Sequence, residues 1–152
     1  IDDEAVESGL YSVAWPARFE VLHTDDPWFV LDGGHNPQCA AALRECLEHY
    51  FPDSKRVALV GVLKDKDYKS IAATLAPLFD ACVCVTPPSE RALPAEELAE
   101  LFKDSCREVC VVDTVEDGVD LARDIAQEQD AMVCAFGSLY ICGQIRSCFG
   151  LR

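Results

Sequence analysis

Short apolar runs bounded by turn residues alternate along the chain with segments whose apolar residues recur at helical spacing. The apolar runs predict six strands, at residues 19–23, 28–32, 56–62, 81–85, 109–113 and 131–136. The amphipathic segments predict five helices, at residues 37–51, 68–79, 94–102, 116–127 and 139–148. Continuously apolar strands separated by helices indicate a mainly parallel sheet with helices on both faces.

The first two predicted strands are joined by residues 24–27, Thr-Asp-Asp-Pro, a composition that suits a tight turn. So short a connection makes these two strands antiparallel and leaves one of them at the edge of the sheet. The later connections are helical crossovers, which are right-handed in nearly all proteins. We therefore predict an α/β fold: a Rossmann-like three-layer sandwich around a mainly parallel six-stranded sheet with an antiparallel edge strand.

Length and composition are those of an ordinary globular domain. The chain has 152 residues, 50% of them hydrophobic and 26% charged, which excludes a disordered protein. It has neither a long apolar run that could span a membrane nor the basic start of a secretory signal. Because it begins at Ile1 without an initiator Met, we expect a domain of a longer protein. Residues 1–14 are then the end of an interdomain linker, and residues 15–152 are the domain.

Charge and cysteine spacing exclude several classes of partner. A net charge of −14 argues against nucleic acid and anionic membranes, because phosphate groups are bound through Lys and Arg. The nine cysteines include no Cys-x-x-Cys pair, and the three histidines do not combine with them at zinc-finger spacing, so we expect no metal site here. Free cysteines within apolar runs indicate buried thiols in a reducing cytoplasm.

Ligands of open α/β sheets gather beyond the carboxyl ends of the strands, so the loops there are the candidate site. They include residues 32–37 (Asp-Gly-Gly-His-Asn-Pro), 64–67 (Lys-Asp-Lys-Asp), 87–91 (Pro-Pro-Ser-Glu-Arg) and the pair 137–138 (Gly-Ser). Basic residues of this acidic chain are thus concentrated at one edge. The pattern favours an anionic ligand.

The first of these loops carries the strongest signal. Asn36 is placed to cap the following helix, and Gly33 and Gly34 allow a close approach of the backbone to a ligand. A helix N-terminus preceded by glycines favours anions, and His35 can donate to one. Asp32 can accept from ribose hydroxyls or help to hold a cation. The alternative is an ordinary glycine-rich turn with a capping Asn.

Three catalytic motifs are missing from the chain. It has no Gly-x-x-x-x-Gly-Lys-Ser/Thr, no Gly-x-Gly-x-x-Gly and no Gly-x-Ser-x-Gly sequence. Gly137 and Ser138 could form a weak anion nest, although Ser138 is also suited to be a plain helix cap. By itself, this domain has no machinery for nucleotide hydrolysis.

Five motifs in register resemble the C-terminal domain of the folylpolyglutamate synthases. They are Trp-Pro-Ala-Arg-Phe-Glu at 15–20, Leu-Asp-Gly-Gly-His-Asn-Pro at 31–37, Gly-Val-Leu-Lys-Asp-Lys-Asp at 61–67, Arg-Ala-Leu followed by Glu-Glu-Leu within 91–98, and Gly-Ser-Leu-Tyr at 137–140. The resemblance runs from about residue 10 to residue 149. This family includes bacterial bifunctional dihydrofolate synthases and is related to the Mur ligases.

The resemblance implies an ATP-dependent amide ligase. In such enzymes an N-terminal P-loop domain, which this chain lacks, binds Mg-ATP and the folate. ATP phosphorylates a carboxylate of the pterin substrate, and the amine of L-glutamate attacks the acyl phosphate. The C-terminal domain closes over the cleft, contacts ATP and supplies much of the glutamate pocket. The resemblance also implies a monomer, and it implies that the isolated domain is inactive.

Site residues follow from the resemblance, motif by motif. Arg18 matches an arginine that reaches the ATP phosphates, and Asp32 matches an aspartate that contacts ATP. His35 matches a catalytic histidine near the γ-phosphate and the incoming glutamate. Ser138 and Tyr140 match residues placed near the glutamate.

Two positions depart from the family pattern. Ala17 replaces the usual Gly, and Gly34 replaces the commoner Ala, which we expect to loosen the loop. The role of residues 64–67 stays open between catalysis and a structural or domain contact. Two other functions also stay open: a non-catalytic module that binds a nucleotide or an acidic metabolite, and a Mur-type amino-acid ligase of peptidoglycan synthesis.

Overall fold

The computed structural model describes residues 2–23, 25 and 27–151. In this part of the chain the strands are β1 Glu20–His23, β2 Phe29–Asp32, β3 Lys55–Val60, β4 Ala81–Val85, β5 Glu108–Val112 and β6 Ala131–Phe136. The α-helices are α1 Asp3–Tyr11, α2 Pro37–Tyr50, α3 Tyr68–Leu75, α4 Ala95–Glu100, α5 Val115–Gln129 and α6 Leu139–Cys148. The predicted alternation of strands and helices is confirmed.

The strands form one six-stranded sheet in the order β1-β2-β6-β3-β4-β5. β1 pairs with β2 antiparallel, and every other neighbouring pair is parallel. The predicted fold class, including the antiparallel edge strand, is therefore correct. Of the predicted turn at 24–27, Thr24 and Asp26 lie outside the described residues.

Helices cover both faces of the sheet. One core cluster packs α2, α3 and α4 against the sheet, with buried side chains that include Leu43, Leu47, Ile71, Leu75 and Leu98. The other packs α5 and α6 against the opposite face, through Val119, Ala122, Ile125, Ile141 and Ile145. Successive strand residues point to opposite faces, so Val30 joins the first cluster while Phe29 and Leu31 join the second. Burial on both faces explains why the strands are apolar throughout.

The predicted linker at residues 1–14 contains a helix. In α1 the side chain of Asp2 caps the first turn by accepting from the N–H of Ala5 at 2.8 Å. No residue of α1 is buried, and Leu10 and Tyr11 are 70% and 96% exposed. A nine-residue helix is marginal in water by itself. Its apolar side chains are therefore available to pack against another surface.

The predicted helix at 68–79 is wrong in its last four residues. α3 ends at Leu75, and residues Ala76–Leu78 form a 3-10 turn. Pro77 causes the change, because it has no N–H for the α-helical bond and its ring crowds the preceding turn.

Buried thiols are confirmed for most of the cysteines in apolar runs. Cys82, Cys84 and Cys134 are fully buried, whereas Cys110 on the edge strand β5 is half-buried, against prediction. All nine cysteines are free thiols. None of the helices in the described residues has the length and apolar character needed to cross a membrane.

Candidate active site

A crevice opens at the carboxyl end of β6, where the helices that follow neighbouring strands lie on opposite faces of the sheet. β6 lies between β2 and β3, whose following helices α2 and α3 pack on one face of the sheet, while α6, which follows β6, packs on the other. Loops that leave neighbouring strands toward opposite faces separate at the carboxyl edge. The loops after β2, β3 and β6 therefore surround one depression.

This depression, which we call the His35 cavity, has a volume of about 120 Å³. Its lining comes from four loops and comprises His35, Leu63, Lys66, Arg91, Ser138, Leu139 and Tyr140. The three residues that the resemblance places near glutamate thus meet in one cavity. Two cations, Lys66 and Arg91, lie beside them.

His35 lies just before the N-terminus of α2. The helix begins at Pro37, and the Asn36 side chain accepts from the N–H of Cys39 at 2.8 Å, as predicted. The ring Nδ1 of His35 lies 3.1 Å from the Gly33 carbonyl oxygen. Because a carbonyl can only accept, Nδ1 carries the proton, and Nε2 is left for a ligand.

Ser138 caps α6 and is 2% exposed. Its Oγ accepts from the N–H of Tyr140 at 3.1 Å, so its own hydroxyl proton remains available to a ligand. The preceding Gly137 has φ +113°, and a Cβ there would lie 2.7 Å from the Gly61 carbonyl oxygen. Only glycine fits this turn, which brings β6 and the loop after β3 into contact. The predicted helix cap is confirmed.

A second cavity of about 130 Å³, which we call the Arg18 cavity, lies beside Gly34. Its lining includes Arg18 and Asp32, the two residues that the resemblance assigns to ATP. A Cβ on Gly33 would lie 3.0 Å from Arg18 Nη1 and closer still to the side chain of Leu139. Glycine therefore lets this loop pack closely against Arg18 and Leu139, which line the two cavities.

Asp32 joins the two loops that carry Arg18 and His35. Its Oδ2 accepts from the N–H of Phe19 at 2.9 Å, and its Oδ1 accepts from the N–H of Gly34 at 2.7 Å. One carboxylate thus fixes the start of β1 and the turn after β2 together. In the described structure Asp32 organises the backbone, a role that the sequence did not reveal.

The loop that carries Arg18 has an unusual backbone. Ala17 and Phe19 have φ values of 55° and 44°, a left-handed region that costs a non-glycine residue about 1–2 kcal/mol. Glu20 holds the loop by accepting from the N–H of Ala17 at 2.8 Å, while its other oxygen pairs with Arg146. Glycine, the family's usual residue at position 17, suits this conformation better than the alanine of this chain.

Gly34 lies in a tightly packed turn. Its N–H is bound to Asp32, and a Cβ on Gly34 would lie 2.7 Å from both Asp32 Oδ1 and Cys39 Cβ. The alanine that is commoner in the family does not fit here unless these neighbours move.

Three of the residues 64–67 make separate contacts. Asp67 caps α3 by accepting from the N–H of Ser70 at 3.2 Å, and Asp65 forms an ion pair with Arg91. Lys66 lines the His35 cavity. The sequence placed Lys66 and Arg91 at the edge that favours an anionic ligand, without assigning either a specific role. The structure brings both of them to the His35 cavity.

One cysteine lies close to the site but is not a nucleophile. Burial, with a smaller contribution from the carboxylate of Asp32, raises the pKa of the Cys142 thiol to about 12. The thiol donates to the Ser138 carbonyl oxygen at 3.3 Å. It therefore stays protonated at neutral pH and supports the first turn of α6.

Comparison with known proteins identifies the family. Residues 17–139 match the family described as "Mur ligase, glutamate ligase domain". A dihydrofolate synthase/folylpolyglutamate synthase of Mycobacterium tuberculosis is 34% identical over 99% of this chain, and the match covers 34% of that protein. A probable bifunctional folylpolyglutamate synthase/dihydropteroate synthase of Halobacterium salinarum is 36% identical over 97% of this chain and 18% of its own length. This chain thus spans a third or less of these relatives.

Solved structures agree with these matches. The folylpolyglutamate synthase of Mycobacterium tuberculosis complexed with ADP and AMPPCP superposes with a TM-score of 0.92 at 31% identity, covering 100% of this chain and 36% of that one. The bifunctional enzyme of Yersinia pestis complexed with AMPPNP and Mn ion has a TM-score of 0.87 at 29% identity, with 99% and 35% coverage. The chain therefore belongs to the Mur ligase family as its glutamate ligase domain, and it corresponds to the C-terminal domain of folylpolyglutamate synthases.

Proposed function

We propose that this domain is the C-terminal part of an ATP-dependent ligase that adds L-glutamate to a folate through an acyl phosphate. The observation that carries the proposal is the pair of neighbouring cavities. The two residues matched to ATP line one cavity, and the three residues matched to glutamate line the other. Arg18 of the first cavity and Leu139 of the second both lie against Gly33, so a phosphate and an amine bound in the two cavities would lie close together.

In the proposed reaction the carboxylate of the pterin substrate attacks the γ-phosphorus of ATP, and ADP leaves. The amine of glutamate then attacks the acyl carbon, phosphate leaves, and the nitrogen loses a proton. Arg18 would neutralise charge on the phosphates, and His35 would accept from the amine of glutamate at Nε2 and orient it beside the acyl phosphate. Ser138 and Tyr140 would hold the glutamate. Closure of the domain would keep water away from the acyl phosphate.

We assign the remaining parts to a preceding P-loop domain, which would bind the folate and most of ATP and Mg. A magnesium ion bound there would neutralise phosphate charge. One observation supports this division. The uncovered α1 offers apolar side chains to another domain. We further propose a cytoplasmic monomer.

The test is glutamate-dependent ADP release by the full-length protein, with a reduced folate or dihydropteroate as acceptor and the isolated domain as control. We expect release by the full-length protein and none by the domain. Release with a muramyl precursor but with neither pterin would assign the domain to the peptidoglycan branch. ATP-independent binding of a metabolite without any ADP release would support a non-catalytic module.

A further inference from the structure

Arg18 lies between two residues whose backbone is left-handed. Ala17 and Phe19 have φ values of 55° and 44°. In this region a side chain crowds the following carbonyl oxygen, so non-glycine residues adopt it only where other contacts hold it. The direction in which Arg18 leaves the loop therefore depends on the contacts of its two neighbours.

The guanidinium of Arg18 is bound to the residue before it. Its Nη1 donates to the Ala17 carbonyl oxygen at 3.1 Å, and the same oxygen accepts from the N–H of Gly33 at 2.8 Å. Within residues 2–23, 25 and 27–151, Arg18 forms no ion pair with a carboxylate. Its other N–H groups are therefore left for an anion such as a phosphate, and a rotation of the Ala17 backbone would move them.

Two carboxylates hold the loop on either side of Arg18. Asp32 accepts from the N–H of Phe19 at 2.9 Å, and Glu20 accepts from the N–H of Ala17 at 2.8 Å. Asp32 also binds the turn after β2, so its replacement would disturb both cavities. The hydrogen bond to Glu20 lies within the Arg18 loop itself, so its loss would act on the Arg18 cavity.

The carboxylate of Glu20 is oriented by Arg146. Its Oε1 pairs with Arg146 Nη1, and the side chains of Glu20 and Arg146 are only 22% and 14% exposed. A pair so shielded from solvent is screened by salt less than a surface pair. Arg146 lies in the last turn of α6, which is packed into the core through Ile141 and Ile145. Glu20 is thus held from a rigid part of the domain.

We propose that Glu20, oriented by Arg146, is a positioning residue that holds Arg18 where it meets the phosphates of ATP. This inference rests on the proposed function, in which Arg18 neutralises phosphate charge. Glu20 itself touches no substrate and acts through the backbone of Ala17. Glu20 and Arg146 are 126 residues apart in the sequence, so their spacing does not reveal the pair.

The test is a double-mutant cycle on the full-length protein, read by steady-state kinetics of ADP release. Glu20→Ala should raise KM for ATP about 10-fold and leave KM for L-glutamate unchanged, because a displaced arginine loses part of its phosphate contact. In a variant that already carries Arg18→Ala, the same change should raise KM for ATP no further. A residue needed only for stability would show its effect in both backgrounds.

Two further substitutions follow the route from Glu20 to Arg18. Ala17→Gly, combined with Glu20→Ala, should lower the raised KM for ATP about 3-fold, since glycine adopts a φ of 55° without crowding from a Cβ. No recovery would show that Glu20 does not act through the Ala17 backbone. Arg146→Gln should raise KM for ATP by a smaller factor than Glu20→Ala and add nothing to it. Additive effects would remove Arg146 from the proposal.

The matched control is Glu48→Gln, which removes the carboxylate of another ion pair, with Arg44 at 3.0 Å, from the exposed side of α2. It should change neither KM. Thermal melts of every variant show whether the fold is intact. Glu20→Gln keeps an oxygen for the Ala17 N–H but loses the charge. It replaces Glu20→Ala if that variant does not fold, and it should raise KM for ATP by a smaller factor.

Three further outcomes would overturn the inference. An unchanged KM for ATP in a folded Glu20 variant removes the role of Glu20 and leaves the proposed function standing. Equal effects of Glu20→Ala with and without Arg18→Ala, or equal rises in KM for ATP and for glutamate, would assign Glu20 to general stability. Absence of glutamate-dependent ADP release in the unmodified full-length protein would overturn the proposed function and this inference together.

Discussion

Replacing Asp32 by Asn should destabilise the domain, because one carboxylate holds two backbone N–H groups. The N–H groups of Gly34 and Phe19 donate to its two oxygens at 2.7 and 2.9 Å. An amide has a single oxygen, so either orientation of Asn leaves one of these N–H groups facing an NH₂ group. A lost charge-assisted bond costs about 1.5–3 kcal/mol, and Asp32 is only half-buried, so we expect a loss of about 2 kcal/mol.

Urea denaturation of the 152-residue chain measures this loss, and a thermal melt should show a fall in Tm of about 4–8 °C. Asp113→Asn is the matched control, because Asp113 follows β5 and is exposed. The control should lie within about 0.5 kcal/mol of the unmodified chain. A loss for Asp32→Asn no greater than that of the control would refute the reasoning that Asp32 joins the two loops.

Three further predictions concern the same edge of the sheet. Gly137→Ala should cost more than about 3 kcal/mol in urea denaturation, because its φ of +113° and the 2.7 Å approach of the Gly61 oxygen leave no place for a methyl group; a smaller loss would mean that the turn can relax. Gly34→Ala restores the residue commoner in the family and should still lower stability by about 1–3 kcal/mol, since the methyl would press on Cys39; a stabilised variant would contradict the geometry. Burial holds the pKa of Cys142 at about 12 in the folded chain, against 9.0 in the unfolded chain. Between pH 9 and pH 12 the unfolded chain therefore loses a proton that the folded chain keeps. The free energy of unfolding consequently falls as the pH rises through this range. Cys142→Ala should flatten this decline between pH 8 and pH 10, and an identical decline would contradict it.

The architecture was predictable because the strands are buried on both faces. Their continuous apolar runs, together with the short connection before Pro27, specify a parallel sheet with one antiparallel edge. Helix boundaries followed where a cap or a proline marks them, as at Asn36 and Ser138. Pro77 marks the end of α3 in the sequence, and the prediction overlooked it.

Helix α1 was missed for a different reason. Asp2 is a suitable cap, and Val6 and Leu10 are four residues apart, so a helical signal is present. The described residues contain no surface against which α1 is buried. A prediction that looks for helices with an apolar side buried in the core of the same domain therefore does not find α1.

The residues of the site were predictable from the sequence, but their distribution over two cavities was not. Motif resemblance named Arg18, His35 and Ser138 without showing that they line two cavities. The packing of Gly33 against Arg18 and Leu139, which line the two cavities, is a tertiary contact. The pairing of Arg91 with Asp65 is tertiary as well, because it joins loops that follow different strands.

The most direct test of the central claim is incorporation of isotopically labelled L-glutamate into a folate acceptor by the full-length protein, followed by mass spectrometry, with and without His35→Ala. We predict a product extended by glutamate for the unmodified protein. The variant should lose about 100-fold or more of the rate, with an unchanged melting temperature. Equal incorporation by a folded His35→Ala variant would contradict the account, because the His35 cavity would then not be the place where glutamate reacts.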